Sequence, residues 1–289
     1  MLRALSPYAW SAPVLLTMGA VLVGPWAYSL DLSFYSWSPL REAPPRFVGV
    51  ANYLATLADP LFQQALATTL TLVVAAVALE FVLGFGAALL LMLPVRGKPF
   101  FQTVFLIPMM ITPAVVGLVW RVLLHDELGL VNWALRSLGL PAVGWLSDPS
   151  VTLLTILLIE VWQHTPFVIL VLGAGLATVP TELIEAARVD GAAPRQVLRH
   201  IMIPWLSAII VVVLLFRMIF VLRTFDTIYA LFRSGGPAQA GTTIGVYLYE
   251  TLRVHWNLGQ ASAVSYLILL LTVLASAGFA LRTWRRAAA

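Results

Sequence analysis

The sequence predicts an all-α membrane protein of six transmembrane helices, with a short polar helix-turn-helix on the cytoplasmic side between the fourth and fifth. Three observations carry this reading. Of 289 residues, 61% are hydrophobic and 10% charged, whereas soluble domains carry about 25% charged residues. The charged residues fence off uncharged runs of about 20 residues or more, the length that crosses a bilayer. Within those runs the apolar residues are continuous rather than alternating, so helices and not barrel strands satisfy the backbone groups in lipid.

The elements follow in order. The run from Ala4 to Leu30 is longer than the apolar core of a signal peptide and is read as a retained first span over 8–30. Pro60 to Val95, interrupted by Glu80, gives a second over 64–93, and Pro99 to Trp120 a third over 100–123. Pro149 to Thr181, interrupted by Glu160, gives a fourth over 151–179. The run from His200 through Arg217 and Arg223 gives a fifth over 204–226, and Val254 to Leu281 a sixth over 258–281. One transmembrane domain over 1–289 is expected, with no large soluble domain. The segments "LSFYSWSPLREAPPRFVGVANYLATL" and "GLVNWALRSLGLPAVGWL" are too rich in Pro, Gly and Trp to span and suit the membrane interface. The stretch from Ile228 to Tyr249, which contains "RSGGPAQAGTT", reads as a turn-rich loop.

An even number of spans puts both termini on one side. The segments of that side hold Arg3, Arg96, Lys98, Arg188, Arg195, Arg199, Arg282, Arg285 and Arg286, while the longer opposite loops hold Arg41, Arg46, Arg121, Arg136, Arg233 and Arg253. The density of positive charge places both termini, and the 180–203 loop, in the cytoplasm.

The composition also excludes several classes of function. A net charge of +4 comes from dispersed basic residues, with no cluster that would grip nucleic acid. Cysteine is absent, which removes disulfides, thiolate metal sites and a thiol nucleophile. "GPAQAGTT", Gly236 to Thr243, imitates a phosphate-binding loop but has Thr242 where the lysine belongs. Neither H-E-x-x-H nor G-x-S-x-G occurs, and His125, His164, His200 and His255 lie far apart in the chain. No catalytic residue, metal site or resident cofactor is predicted.

The polar interruption "EAARVDGAAPRQVLRHIMIP" begins at Glu185. Thr181 is placed to cap a helix whose first turn carries Glu182. Leu183, Ala186 and Ala187 share a face, Gly191 supplies the positive-φ stop, Pro194 opens a second helix, and Pro204 starts span five. The small Ala186 and Ala187 admit another protein's surface close to the backbone, with Glu185 and Asp190 free to orient it. Chemistry alone leaves a membrane-surface connector as the alternative.

Ionisable residues inside spans are expensive and point to function. Glu160, Gln163 and His164 share a face of span four, about 14 Å into the membrane. With Trp162 nearby they either line a polar cavity or tie the span to a neighbour. Arg217 lies about 20 Å beyond Pro204 and needs buried acceptors. Arg223 and Asp226 are spaced to pair on one face. Glu80 precedes Gly84, Gly86, Ala87 and Ala88, small residues that suit a close helix crossing.

"EAARVDGA" followed by Ile201 and Pro204 resembles the EAA signature of the permease subunits of binding-protein-dependent ABC importers. "IPMMITPAVVGLVW", "FDTIYALFRSGGP" and "GQASAVSYLIL" are similar to the sugar-transport branch, relatives of the maltose and glycerol-phosphate permeases. The resemblance implies the type I importer permease fold in a bacterial or archaeal inner membrane. It makes Glu185, Ala186, Ala187, Asp190, Gly191, Ile201 and Pro204 positions that couple to an ATPase, and Arg223 and Asp226 resemble the family's basic-then-"FD" pattern; these two, with the intramembrane residues Glu160, Trp162, Gln163, His164 and Arg217, are candidates for the translocation pathway. It also implies a second permease, two ATPase subunits that bind ATP and Mg, an extracytoplasmic binding protein and a carbohydrate substrate, with no cofactor in this chain. Arg195 and Leu198 depart from the aromatic residues often found there. A permease for glycerol phosphate or a polyol is the alternative, and a proton-coupled secondary transporter using Glu160 and His164 a more distant one.

Overall fold

The computed structural model describes residues 2–93 and 96–287, with side chains described from 11 to 93 and from 96 to 279. Pro94 and Val95, at the end of the second apolar run, and the side chains of Arg3, Arg282, Arg285 and Arg286 lie outside this set. In chain order the elements are α1 (Leu2–Leu32), the two-residue strands β1 (Tyr35–Ser36) and β2 (Arg46–Phe47), α2 (Ala51–Ala58), α3 (Pro60–Leu90), α4 (Lys98–Met110), α5 (Pro113–Leu123) and α6 (Leu130–Ser137). There follow α7 (Pro149–Leu176), α8 (Thr181–Val189), α9 (Pro194–Val197), α10 (Ile203–Trp205), α11 (Ser207–Leu222), α12 (Asp226–Phe232), α13 (Ile244–Tyr249) and α14 (Leu258–Ala287). Single π-helical turns occupy Leu198–Met202 and Glu250–Val254.

Among the described residues, the segments Ser11–Leu32, Pro60–Leu90, Pro149–Leu176, Ser207–Phe232 and Leu258–Phe279 are each long and apolar enough to cross a membrane. The third expected span departs from a straight rod: α4 and α5 meet at a 98° bend and complete a sixth crossing only as a broken pair. The cause is local. Pro108 lies inside α4 and Pro113 opens α5, and the residue before a proline is driven out of the helical region. Thr112 is accordingly extended, with φ −63° and ψ 141°. The fifth span also stops early, at Leu222, and the chain breaks over residues 223–225 before α12. The stretch from Ile228 to Tyr249 is therefore not loop throughout, since α12 and α13 fold its two ends into helix.

The chain divides into two compact units, residues 1–63 with 248–271 and residues 64–247 with 272–289. In the first, Tyr35 pairs antiparallel with Phe47. Asn52 Nδ2 donates to the Ser33 and Tyr35 carbonyls at 2.8 and 2.9 Å. The Tyr266 hydroxyl donates to the Trp26 carbonyl at 2.5 Å, joining α14 to α1.

In the second unit α7 is the central rod. Asp148 caps it, accepting from the Ser150 amide at 2.8 Å and the Ser150 hydroxyl at 2.7 Å, with Pro149 at the first helical position. Those two donors hold the Asp148 carboxyl below its ordinary range. Val168, Leu172 and Leu176 of α7 pack with Ala88, Leu206 and Val213 in a buried cluster. In lipid such packing depends on close fit rather than on hydrophobic transfer, and the small residues supply it. A Cβ on Gly84 would lie 2.6 Å from Val168 Cβ, and one on Gly175 would lie 2.7 Å from Leu206 Cδ2. Gly84 thus meets the expectation of a close crossing, whereas Gly86 has nothing within 4 Å.

The segment that links α5 to α7 is pinned by fully buried Asn132. Its Nδ2 donates to the Asp126 and Val143 carbonyls at 2.9 and 2.8 Å, and its Oδ1 accepts from the Val143 amide and Trp145 Nε1, both at 3.1 Å.

Candidate functional site

The intramembrane charges that the sequence scatters over three spans come together in the second unit. Arg217 of α11 donates from Nε to Glu80 Oε2 at 2.5 Å and from Nη2 to Glu80 Oε1 at 2.8 Å. The same Nη2 reaches Glu160 Oε1 of α7 at 2.8 Å. Glu160 Oε1 lies 3.1 Å from His164 Nδ1, one helical turn on. Glu80 is wholly buried, and Arg217 and Glu160 are each 2% exposed. A guanidinium fits this task because its planar donors engage a carboxylate side-on and still reach a second one.

The acceptors that Arg217 requires are thus Glu80 and Glu160, and Glu80 is an ion-pair partner as well as a neighbour of the close crossing. A clue lay in depth: Glu80 stands thirteen residues before the expected end of span two, and Arg217 thirteen residues after the expected start of span five. At 1.5 Å per residue both lie about 20 Å from the same membrane face. Glu80, Glu160 and His164 also bring potential metal-ligand atoms within 4.8 Å of one another. The positive charge such a trio requires comes from the chain itself, in Arg217.

Beside this cluster opens a cavity of about 270 Å³ lined by Pro113, Glu160, His164, Phe220, Arg223, Thr224, Phe225, Asp226 and Thr227. Two helix breaks shape it. Pro113 comes from the α4–α5 bend, and residues 223–225 from the gap between α11 and α12. Thr227 Oγ1 donates to the Pro113 carbonyl at 3.2 Å, joining the two breaks. Gly117 lets α5 lie against α12, where a Cβ would meet the Thr227 carbonyl oxygen at 2.5 Å.

Other expected pathway residues fall differently. Arg223 and Asp226 both line the cavity and are exposed, but among the described residues they form no ion pair within 4.0 Å, because the break puts Arg223 at the end of α11 and Asp226 at the start of α12. Gln163 is buried away from the cavity and donates from Nε2 to the Ile111 carbonyl at 3.1 Å, covering the bend, while its Oε1 has no partner. Trp162 is 40% exposed on another face of α7, edge-on to Trp120 with ring centroids 5.4 Å apart. The cavity's phenylalanines were not singled out in the sequence, where a lone Phe in an apolar run carries no signal.

The helix-turn-helix forms as α8 and α9. Pro180, not Thr181, is the N-cap of α8, and it offers no side-chain cap. At the other end Gly191, at φ +83°, closes a Schellman motif: the Ala192 amide donates to the Ala187 carbonyl at 2.9 Å and the Gly191 amide to the Arg188 carbonyl at 3.0 Å. The Ala193 amide donates to Gln196 Oε1 at 2.7 Å at the start of α9. Trp205 Nε1 donates to Thr178 Oγ1 at 3.2 Å, pinning the base of the projection. Among the described residues α8 buries no side chain. Glu185, Ala186, Asp190 and Gly191 are exposed, Ala187 and Ile201 are half-buried, and Pro204 is exposed. Ala187, Asp190, Gly191 and Ile201 line a depression of about 300 Å³, which Glu185, Ala186 and Pro204 do not reach.

Residues 80–284 match the family described as binding-protein-dependent transport system inner membrane component. This chain belongs to that family. The permease is 36% identical over 285 residues to the probable ABC transporter permease protein y4oQ of Sinorhizobium fredii, covering 98% of this chain and 92% of the relative. It is 35% identical over 230 residues to the trehalose/maltose transport system permease protein MalF of Thermococcus litoralis, covering 78% of this chain and 76% of the relative. The crystal structure of a bacterial ABC transporter involved in the import of the acidic polysaccharide alginate aligns with TM-score 0.85 at 22% identity, over 98% of this chain and 96% of that one. The fold is that of the type I importer permeases, and the chain is an inner-membrane transport component rather than an enzyme.

Proposed function

We propose that this permease forms half of the translocation pore of an ATP-driven carbohydrate importer. The observation that carries the reading is α8, a polar helix that buries no side chain among the described residues of an otherwise apolar chain, closed by a Schellman turn and pinned at its base by Trp205 and Thr178. A rigid projection of this kind serves as a lever. Glu185, Ala186, Ala187, Asp190 and Gly191 dock in an ATPase subunit, with Ile201 and Pro204 at the junction to the membrane. ATP and Mg are bound by two ATPase subunits and not by this chain. A second permease completes the pore, an extracytoplasmic binding protein delivers the solute, and both termini are cytoplasmic. Closure of the ATPase dimer moves the projection and switches the pore between its inward-facing and outward-facing states.

The solute is a carbohydrate, as in the trehalose/maltose relative. The cavity beside the bend offers what a sugar takes: Glu160 and His164 as polar contacts for hydroxyls, Arg223 and Asp226 at the same wall, and Phe220 and Phe225 as apolar faces.

The chain has no native cysteine, so Ala187→Cys introduces a unique thiol. We expect it to cross-link to the ATPase subunit in the assembled importer, with a yield that changes on addition of ATP. A thiol that reacts only with reagents outside the cell, or that never reaches an ATPase in a transporting complex, refutes the assignment.

A further inference from the structure

We propose that Glu80 and Arg217 are positioning residues that hold Glu160 as a fixed anion facing the cavity. This half of the pore then takes neutral, hydroxyl-bearing solutes and discriminates against anionic ones. The inference rests on the cavity being part of the solute path, as proposed above.

The geometry separates the residues by role. Neither Glu80 nor Arg217 lines the cavity, whereas Glu160 does. Glu80 takes Nε and Nη2 of the guanidinium side-on, which fixes its plane. Nη2 then meets a single oxygen of Glu160, Oε1, which His164 Nδ1 also approaches. Among the described residues the other oxygen, Oε2, carries no protein hydrogen bond, so Glu160 is anchored by one oxygen and has the other free to accept.

Charge gives the arrangement its selectivity. Two carboxylates share one guanidinium, and side-on pairing assigns that guanidinium chiefly to Glu80. That leaves the Glu160 carboxylate, one of two sharing a single guanidinium, at the cavity wall. Arg223 and Asp226 line the same cavity and offset each other. A hydroxyl donates to such an acceptor. A phosphate or carboxylate has no proton to give it and is repelled in a medium that screens poorly.

The test uses the complete importer in lipid vesicles. N,N′-dicyclohexylcarbodiimide reacts with protonated carboxyls in apolar surroundings, and its attachment to Glu160 is read by mass spectrometry. Replacing a buried ion pair by apolar residues of similar size preserves folding in favourable cases, so Glu80→Met with Arg217→Met removes the clamp and leaves Glu160 in place. We expect labelling of Glu160 at least ten-fold faster than in the wild type. If the double variant fails to assemble, Arg217→Lys, which keeps the charge but lacks the planar donors that engage Glu80 side-on and still reach Glu160, gives the same direction. Equal labelling in wild type and variant overturns the positioning role, whatever the solute path.

Uptake of labelled maltose, trehalose and glycerol 3-phosphate tests the selectivity. The wild type should take up a neutral sugar at least ten-fold faster than glycerol 3-phosphate, and Glu160→Gln should narrow that ratio. Preferential uptake of glycerol 3-phosphate by the wild type overturns the charge selection. If Glu160→Gln leaves every uptake profile unchanged while labelling still responds to the clamp, the cavity is not the path and only the underlying reading fails.

Discussion

Two regions of this permease carry charge into an apolar chain, and they treat it in opposite ways. The cluster of Glu80, Glu160 and Arg217 hides its charges among the apolar helices and satisfies them with one another. The projection around α8 displays Glu185, Arg188 and Asp190 to solvent, and takes its shape from the backbone turn at Gly191 and from the uncharged Gln196 and Trp205 side chains. The difference teaches where each region is vulnerable. A buried charge without its partner has no water to fall back on, so changes there act on stability first. An exposed charge is solvated whether or not it is paired, so changes there leave stability alone and act on whatever the surface touches.

The sharpest way to break the comparison is to remove the guanidinium alone. Arg217→Met leaves Glu80 and Glu160 facing each other without a counter-charge, and we expect about 3–5 kcal/mol of destabilisation, read as a large fall in the thermal unfolding midpoint in detergent. A stable Arg217→Met protein would mean that the cluster contributes little to holding α3, α7 and α11 together.

Next in size is the crossing beside the cluster. Gly84→Val forces a side chain into Val168, and overpacking of this kind costs about 1–3 kcal/mol in the same assay; Gly86→Val, which has open space, serves as the control. Equal losses from the two substitutions would show that the helix tolerates no branching rather than that it lacks room.

At the projection the expectation inverts. Glu185→Lys should shift stability by no more than about 0.5 kcal/mol while abolishing coupled uptake, measured as ATP hydrolysis without transport. Gly191→Pro should also uncouple, because proline holds φ near −65° where the turn needs +83°. Normal uptake by both variants would mean that α8 drives nothing.

The smallest effect belongs to the cap of α7. The Asp148 carboxyl is held below its unfolded value by Ser150, so its contribution is complete above the unfolded pKa and is lost as pH falls through the folded one. Ser150→Ala should lower stability slightly at neutral pH and leave it unchanged below the folded pKa, flattening the acid limb of the curve, as a thermal melt series from neutral to acid pH will show.

Much of this was legible in the sequence. Span positions follow from where charges interrupt apolar runs, and the projection from Gly191, Pro194 and the alanine pair, because these signals are local. The Glu160–His164 contact was legible for the same reason, lying within one helical turn. The clamp by Arg217 was not, because partners from separate helices meet only when the packing sets their rotation, and depth narrows the choice without deciding it. Hydropathy does not reveal the two broken helices. Pro108, Pro113 and the residues after Leu222 leave the apolar run unbroken while they stop the backbone, and composition counts only the former. The Arg223–Asp226 pair failed for that reason too, since helical spacing means nothing across a break.

The 98° turn between α4 and α5 has a consequence for the character of the bilayer interior at that depth. A continuous rod would show lipid only its side chains. A rod cut in two exposes peptide carbonyls and amides at the cut, and hydrocarbon offers them nothing in return. Gln163 answers one of them, at Ile111, and Thr227 another, at Pro113. Any peptide group that the chain leaves unanswered at the cut demands water or another protein surface in place of oil.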